Sequence, residues 1–534
     1  MSSISITPKP SLAGLASGQA AEPKTSGAGR TYGQILKSSA VIGGSSVINI
    51  GLGIVRTKVM ALLLGPGGVG LLGIYNSISD LARTVAGMGI NSSGVRQIAE
   101  AVGTGDNECI ARTVTTLRRV ALLLGLGGAV LLAALCLPIS QISFGDHQHA
   151  AAIACLSLVV LLSSVSGAQL ALLQGVRRIG DLARASIWGG VWGTLASVIV
   201  VWLCWRAGDV RRGVVPSLVC VAVLGVVVSW WYSRKTQVER VAMRWADISA
   251  EVSELLKLGF VFMATGFMAM GVAFLVRIIV LRKIGEDAAG FYQSAWTLGG
   301  LYVGFILQAM GADFFPRLTA AAHDNVECNR LVNEQAEVGL LMAGPGIIGT
   351  LTFAPLVIQL FYSAKFGPAV EILRWICLGM VLRVASWPMS YVLLAKGARQ
   401  TYFWSELAGN AVMIGLVWVC VLGFGLKGTG IAFFGSYVLY WFLIYAIVRA
   451  VSGFRWSAAN KQIGLLYGPL ITVAFMGWYW LPRWTLVVGG TGITLVAGIY
   501  SLKQLCTLVP LARLPRMVQR IVVLLRLAPP HLPD

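Results

Sequence analysis

Apolar runs of about 18 residues or more, long enough to span hydrocarbon, recur along this chain from end to end. Short segments holding most of the Lys and Arg separate them. The pattern predicts about fourteen helices. They begin near Ser38, Gly70, Arg119, Ala150, Ala185, Gly213, Leu258, Ala289, Gln335, Ile372, Thr401, Gly428, Ile463 and Trp484. The informative positions are the polar ones inside the runs. In "NSISDLARTVAGMGI" (76–90), Asn76, Asp80, Arg83 and Gly87 fall four, three and four apart, on one helical face. With a helix start near Gly70, Asp80 lies about 15 Å in at 1.5 Å per residue, the depth of the bilayer midplane.

The preceding run carries a similar stripe of Ser45, Asn49, Gly53 and Arg56. Farther on, Gln293, Thr297, Gly304 and Gln308 share a face. Arg277 stands ahead of Gly285 much as Arg56 stands ahead of Gly65, and Arg383 falls near the middle of its helix. A charge at such depth costs at least a few kcal/mol. Arg56, Arg83, Arg277, Arg374 and Arg383 outnumber the membrane acids Asp80, Asp313 and Glu371, so they cannot all be paired internally. Unpaired cations need water or an anionic ligand. The expectation is a wet, positive cavity between two halves of the protein, lined by Arg56, Arg83, Arg277, Arg383, Asn49, Asn76 and Gln308. Asp80 and Asp313 would serve as charge partners or as an ion-coupling site. For Asp80 and Arg83 taken alone, a buried structural pair is the competing reading. Pro345 and Pro388, each within a span, are candidate hinges, with a static kink as the alternative.

The halves are visible as an internal repeat. "LLQGVRR" (172–178) recurs as "LLAKGARQ" (393–400), which aligns Gly175 with Gly397 and Arg177 with Arg399. "VAGMGINSSGVRQIAEA" (85–101) recurs as "ILQAMGADFFPRLTAAA" (306–322), and "LLGPGGVGLLG" (63–73) as "RKIGEDAAGFYQ" (282–293). An even number of helices per copy keeps both copies in one orientation. The fold class is therefore an all-α polytopic membrane protein, two six-helix bundles related by a pseudo-two-fold along the membrane normal plus two extra helices. The expected divisions are a disordered extension (1–33), an N-lobe (34–233), a basic linker (234–257), a C-lobe (258–450), the extra pair (451–506) and a tail (507–534).

Composition narrows the class. Of 534 residues, 56% are hydrophobic and 12% charged, with mean hydropathy +0.76. Soluble domains carry about 25% charged residues, so this chain cannot cover a soluble globule. The net charge of +20 resides mostly in loops on one side, "GVRRIGDLAR" and "KGARQ" among them. That distribution fits the positive-inside rule and anionic lipids at the cytoplasmic face, with both termini cytoplasmic, rather than nucleic acid. The basic stretch 206–212 is an exception on the outer side. The cysteines fall mostly within apolar runs, without CxxC spacing or a Cys/His cluster, so neither a metal nor a disulfide framework is expected. "GPGGVG" (65–70) satisfies a dinucleotide fingerprint, but apolar helices flank it where a strand is required, so it reads as a tight extracytoplasmic turn. The first thirty residues hold no apolar core of signal-peptide length.

The run from "ILKSSAVIGG" through "LGPGGVGL" and "GMGI" to "SSGVRQIAE", with the later "LLQGVRR", resembles O-antigen translocases. These form the polysaccharide-transport branch of the multidrug/oligosaccharidyl-lipid/polysaccharide exporter superfamily. The resemblance covers most of the chain and weakens after about residue 450. It implies no enzyme and no cofactor, but a flippase moving a polyprenyl-pyrophosphate-linked saccharide across the bacterial inner membrane, with proton or sodium coupling open. It assigns cavity roles to Arg56, Asp80, Arg83 and Arg277, and polymerase or other polysaccharide-assembly proteins as partners. A multidrug exporter of the same superfamily is the nearest alternative, but cationic cargo calls for acidic walls. A membrane glycosyltransferase or O-antigen ligase wants positioned carboxylates or histidines in sizeable outer loops. The four histidines, His147, His149, His323 and His531, do not supply them.

Overall fold

Gly65 interrupts what would otherwise be one 62-residue helix, with φ 67° and ψ −175°. That conformation is essentially open to glycine alone. In the computed structural model, which describes residues 26–104, 107–236 and 245–508, α1 (Ser26–Gly87) is thus two spans meeting at a kink, with Pro66 at the start of the second. The first copy continues with α2 (Ile90–Thr104), α3 (Asn107–Ala134), the short α4 (Cys136–Ser143), α5 (Ala150–Gly175), α6 (Ile179–Arg206) and α7 (Val214–Ser233). The second comprises α8 (Trp245–Ile284), α9 (Glu286–Ala320), α10 (Asn325–Thr352), the short α11 (Ala354–Phe361), α12 (Ala369–Ala395), α13 (Arg399–Phe424) and α14 (Gly428–Ser452). Helices α15 (Ala458–Trp480) and α16 (Arg483–Leu508) stand outside the repeat.

Among the described residues, each copy therefore supplies six long helices once α1 is divided at its kink. Eight segments are long and apolar enough to cross a membrane, or nine if α10 and α11, bent by 85°, count as one. Two of the eight, Gly44–Gly87 and Arg399–Ser452, are themselves joined pairs. The chain is a multi-pass membrane protein. The first 25 residues, the centre of the linker and the tail after Leu508 lie outside the described residues. Helix α1 takes in 26–33, and α8 takes in the linker from Trp245 onward.

Backbone geometry gives the repeat a register that sequence matching misses. Gly285, at φ 121° and ψ 179°, separates α8 from α9 just as Gly65 divides α1. After α5 the positive φ falls on Arg177 (57°), and after α12 it falls on Gly397 (72°). Gly397 thus corresponds to Arg177, not to Gly175, because both are the second residue past a helix end. The bent elements α4 and α11 likewise follow α3 and α10 after a single residue. The copies part company at Met88 (φ 42°) and Gly89 (φ 67°), which break α1 from α2. The matching stretch of α9 runs on to Ala320 with Pro316 inside.

At the end marked by the two glycine kinks, the copies are pressed together. A Cβ on Gly290 would lie 1.9 Å from the Pro66 carbonyl oxygen, and one on Gly70 would lie 2.6 Å from that of Glu286. Polar ties cross the same seam in reciprocal fashion. Lys58 on α1 donates to the Gln359 carbonyl near the end of α11 at 2.7 Å. Arg282 on α8 donates to the Ile142 and Gln141 carbonyls at the end of α4, at 3.0 and 3.3 Å. Each cation thus meets the carbonyls and partial negative charge of a helix C-terminus in the other copy. Arg211 pairs with Glu286 at 2.9 Å, Arg212 with Asp209 at 2.7 Å, and Arg206 lies over the Trp202 ring at 4.9 Å. The basic stretch 206–212 is therefore largely matched by local acids and an aromatic face.

Candidate functional site: two cavities on either face of α9

The first cavity, of about 410 Å³, is bounded by both limbs of α1, by α5 and α7, and by α9. The polar stripes of α1 converge on it: Arg56 from the first limb, and Asn76, Asp80 and Arg83 from the second. The kink at Gly65 folds the chain back so that two faces far apart in sequence look across one space. Gln293 and Thr297 contribute from α9, and Tyr362, almost fully buried, closes the wall from the loop after α11.

Asp80 and Arg83 do pair, Nη2 to Oδ1 at 2.6 Å, but their side chains remain 42% and 51% exposed. A structural pair sealed between helices would be buried; this one opens onto the cavity. Arg56 is half-buried and has no hydrogen bond or ion pair among the described residues. Arg277 lies just behind the wall, buried. Its Nε donates to Gln293 Oε1 and its Nη1 to the Ala273 carbonyl, both at 2.8 Å. No acid forms an ion pair with it among the described residues, and Gln293 links it to the cavity. The lining therefore carries two guanidinium groups against one carboxylate, with a third guanidinium directly behind.

Other expected residues are elsewhere. Asn49 faces α6 and donates to Ser186 Oγ at 2.8 Å. Gln308 is exposed and borders neither cavity. The side chain of Asp313 lies outside the described residues. Pro345 and Pro388 lie inside helices that run on unbroken, while the sharp bend of that region falls at Phe353, between α10 and α11. Arg374, counted above among unpaired cations, is fully buried and lines neither this cavity nor the second one described below. Its Nη1 donates to the Leu351 carbonyl, and its Nη2 to those of Ala474 (3.1 Å) and Phe475 (2.6 Å), tying α12 to α10 and α15. The rings of Phe475 and Trp478 cover it at 5.3 and 4.9 Å. Glu371 is also used structurally, accepting from Trp478 Nε1 at 3.1 Å and Tyr479 Oη at 2.9 Å.

Arg383 belongs to a second cavity, of about 380 Å³, within the second copy. Aromatic rings dominate its walls, and Glu406 and Asn410 of α13 face Arg383 of α12 across it. Glu406 accepts the Tyr440 hydroxyl at 2.5 Å. The sequence reading overlooked this carboxylate, though it lies seven residues into α13 within a run otherwise apolar enough to span. Helix α9 separates the two spaces, turning Gln293 and Thr297 toward one and their neighbours Tyr292 and Trp296 toward the other. Among the described residues, no group of three or more His, Cys, Asp or Glu is arranged to hold a metal ion.

Comparison with known proteins follows this geometry. The lipid II flippase MurJ in an inward closed conformation superposes with a TM-score of 0.62 at 14% identity, covering 88% of this chain and 99% of that one. An inward-facing multidrug resistance MATE family transporter of the MOP superfamily gives a TM-score of 0.60 at 18% identity, covering 76% and 95%. In sequence, the chain is 20% identical over 410 residues to the Lipid III flippase of Escherichia coli (strain K12), covering 77% of this chain and 97% of that protein. The profile of a family described as "Polysaccharide biosynthesis protein" matches residues 59–371. With more than half its length matched, the chain belongs to that polysaccharide biosynthesis family.

Proposed function

We propose that this protein flips a polyprenyl-pyrophosphate-linked saccharide from the cytoplasmic to the outer leaflet of a bacterial inner membrane, by alternating access. The single observation that carries the reading is the charge of the first cavity: an Arg56 with no partner among the described residues, an Arg83 open to the cavity and an Arg277 hydrogen-bonded to neutral groups. Guanidinium groups supply paired, charge-assisted hydrogen bonds to phosphate oxygens. A headgroup bearing those oxygens cannot cross hydrocarbon bare, since moving an isolated charge there costs tens of kcal/mol on Born estimates. The apolar chain stays in lipid while the headgroup rides in the cavity, and rocking of one copy against the other changes the side that is open. Asp80 holds Arg83 ready without cancelling the net charge. With a negative interior, each uncompensated headgroup charge moving outward gains about 2.3 kcal/mol per 100 mV, so the membrane potential favours export without a coupling ion. Likeness to the Lipid III flippase and membership of the family support this reading.

The test is the leaflet distribution of the lipid-linked saccharide in cells carrying Arg56→Ala or Arg83→Ala. Each variant is expected to reach the membrane in normal amount and to leave the intermediate in the cytoplasmic leaflet. Full export in both variants overturns the proposal. A multidrug exporter would instead show drug sensitivity on deletion, with unchanged lipid-linked intermediates.

A further inference from the structure

We infer that the second cavity, in the C-lobe, is the saccharide subsite, so that the two faces of α9 divide the substrate between pyrophosphate and sugar. The inference rests on the flippase reading and assigns a ligand class to a space that the reading leaves unused.

The chemistry of this cavity differs from that of its neighbour in two ways. It is balanced in charge: Arg383 faces Glu406, and no other Lys, Arg, Asp or Glu borders it among the described residues. A pyrophosphate gains little there because Glu406 opposes it, and a cationic drug gains little because Arg383 does. It is also walled by rings in mutual contact. Trp387 and Tyr391 lie 4.5 Å apart, Phe433 and Tyr437 4.9 Å, and Tyr437 and Tyr440 6.2 Å. Two of these rings are seated by glycines. A Cβ on Gly409 would meet the Tyr440 ring at 2.8 Å, and one on Gly311 would meet Trp387 at 3.1 Å. The rings are thus held as fixed platforms rather than as loose filler.

Between the platforms are polar groups without a full set of partners. Arg383 and the Asn410 amide have no side-chain hydrogen bond or ion pair among the described residues. Glu406 has one oxygen engaged and one to spare. Unmet planar donors and acceptors in a partly buried space are costly unless a ligand or water answers them. A neutral ring with an apolar face and a rim of hydroxyls answers both features: the face lies on an aromatic ring, and the rim bonds to guanidinium, amide and carboxylate. A polyprenyl tail would leave all three unmet. The volume lies within the range of about 300–1,000 Å³ that holds small organic ligands. Residues 292 and 296 border this cavity, and 293 and 297 the other. The subsites therefore lie on opposite faces of one helix, about 10–12 Å across, a distance that the first sugar beside the pyrophosphate cannot span and that a more distal sugar of an oligosaccharide can.

The test compares two probes on the purified full-length protein: the lipid-linked saccharide extracted from the cells that make it, and polyprenyl pyrophosphate without sugar. The wild type is expected to bind the saccharide-bearing lipid about tenfold more tightly, the return on a single hydrogen bond to a charged group. Trp387→Leu and Glu406→Gln should each bring the two affinities close together while leaving polyprenyl pyrophosphate binding unchanged. Arg56→Ala should weaken both probes by the same factor and preserve their ratio. Should Trp387→Leu fail to fold, Asn410→Ala serves in its place. Equal affinities in the wild type, or a preference that survives the C-lobe variants, overturns the subsite. Failure of both probes to bind the wild type overturns the flippase reading and the subsite with it.

Discussion

Substituting Gly290 by alanine should weaken the closed seam between the copies without touching either cavity. The added Cβ would sit 1.9 Å from the Pro66 carbonyl oxygen and 2.6 Å from its carbonyl carbon. Both are backbone atoms, so no rotamer change relieves the clash. Restoring ordinary contact, about 3.5 Å between heavy atoms, requires α9 to retreat from α1 by roughly 1.5 Å. Arg211 and Glu286, now 2.9 Å apart, separate with it. Overpacking of this kind costs about 1–3 kcal/mol. If the cost falls only on the closed arrangement, the open one gains by a factor of about five to a hundred or more, at 1.4 kcal/mol per tenfold. The assay is the distance distribution between spin labels at Arg212 and Leu356, exposed positions at this end in opposite copies. The labels are best carried on unnatural amino acids, because nine native cysteines would compete for thiol reagents. Gly290→Ala should add a longer-distance population. Gly300→Ala, on the same helix with nothing within 4 Å of its Cβ, should not. Folded Gly290→Ala with the wild-type distribution, or an equal shift from Gly300→Ala, refutes the reasoning.

Three further outcomes follow from the same structure. Arg374→Met should lower the melting temperature in detergent by several degrees, because it deletes three hydrogen bonds to carbonyls, and each bond to a charged group is worth about 1.5–3 kcal/mol. Arg56→Ala should leave the melting temperature unmoved. Gly65→Ala should destabilise by about 1–3 kcal/mol, the cost of holding a side chain in a conformation nearly reserved for glycine, as measured by denaturant or thermal unfolding in detergent. Arg211→Glu should increase the open population slightly, by no more than about 1 kcal/mol for so exposed a pair, and adding Glu286→Arg should reverse the change. A double variant as open as the single one would remove that pair from the seam.

The helical architecture was legible because apolar run length and the spacing of polar residues are local properties. The starts near Ala150, Ala289 and Gly428 fall within a few residues of α5, α9 and α14. The stripe of Asn76, Asp80 and Arg83 was legible for the same reason: period alone places three side chains on one face, and here that face borders a cavity. Tyr362 was not, because it comes from a non-helical loop where no period operates. The repeat was visible in sequence, but its register was not. The constraint shared by Arg177 and Gly397 is a positive φ, and Arg and Gly share no side-chain feature that reveals it.

The split among the arginines shows where counting charges stops working. Arg56 and Arg374 are the same residue type, each embedded in an apolar run, and an excess of cations over acids placed both beside water. A buried guanidinium can also be satisfied by carbonyl oxygens, which every residue carries and no composition reveals. Such oxygens become free where a helix bends or ends. Leu351 is such a residue, one position before the last residue of α10 and just ahead of the bend at Phe353. Ala474 and Phe475 offer further carbonyls from within the continuous helix α15, each oxygen having a second lone pair to give. No carbonyl accepts from Arg56 among the described residues, and the kink at Gly65 folds the second limb of α1 back so that a cavity lies in front of it. The distinction between a strut and a binding group at this depth therefore lies in the backbone around the arginine, and the question to put to each intramembrane cation is which helix end it faces.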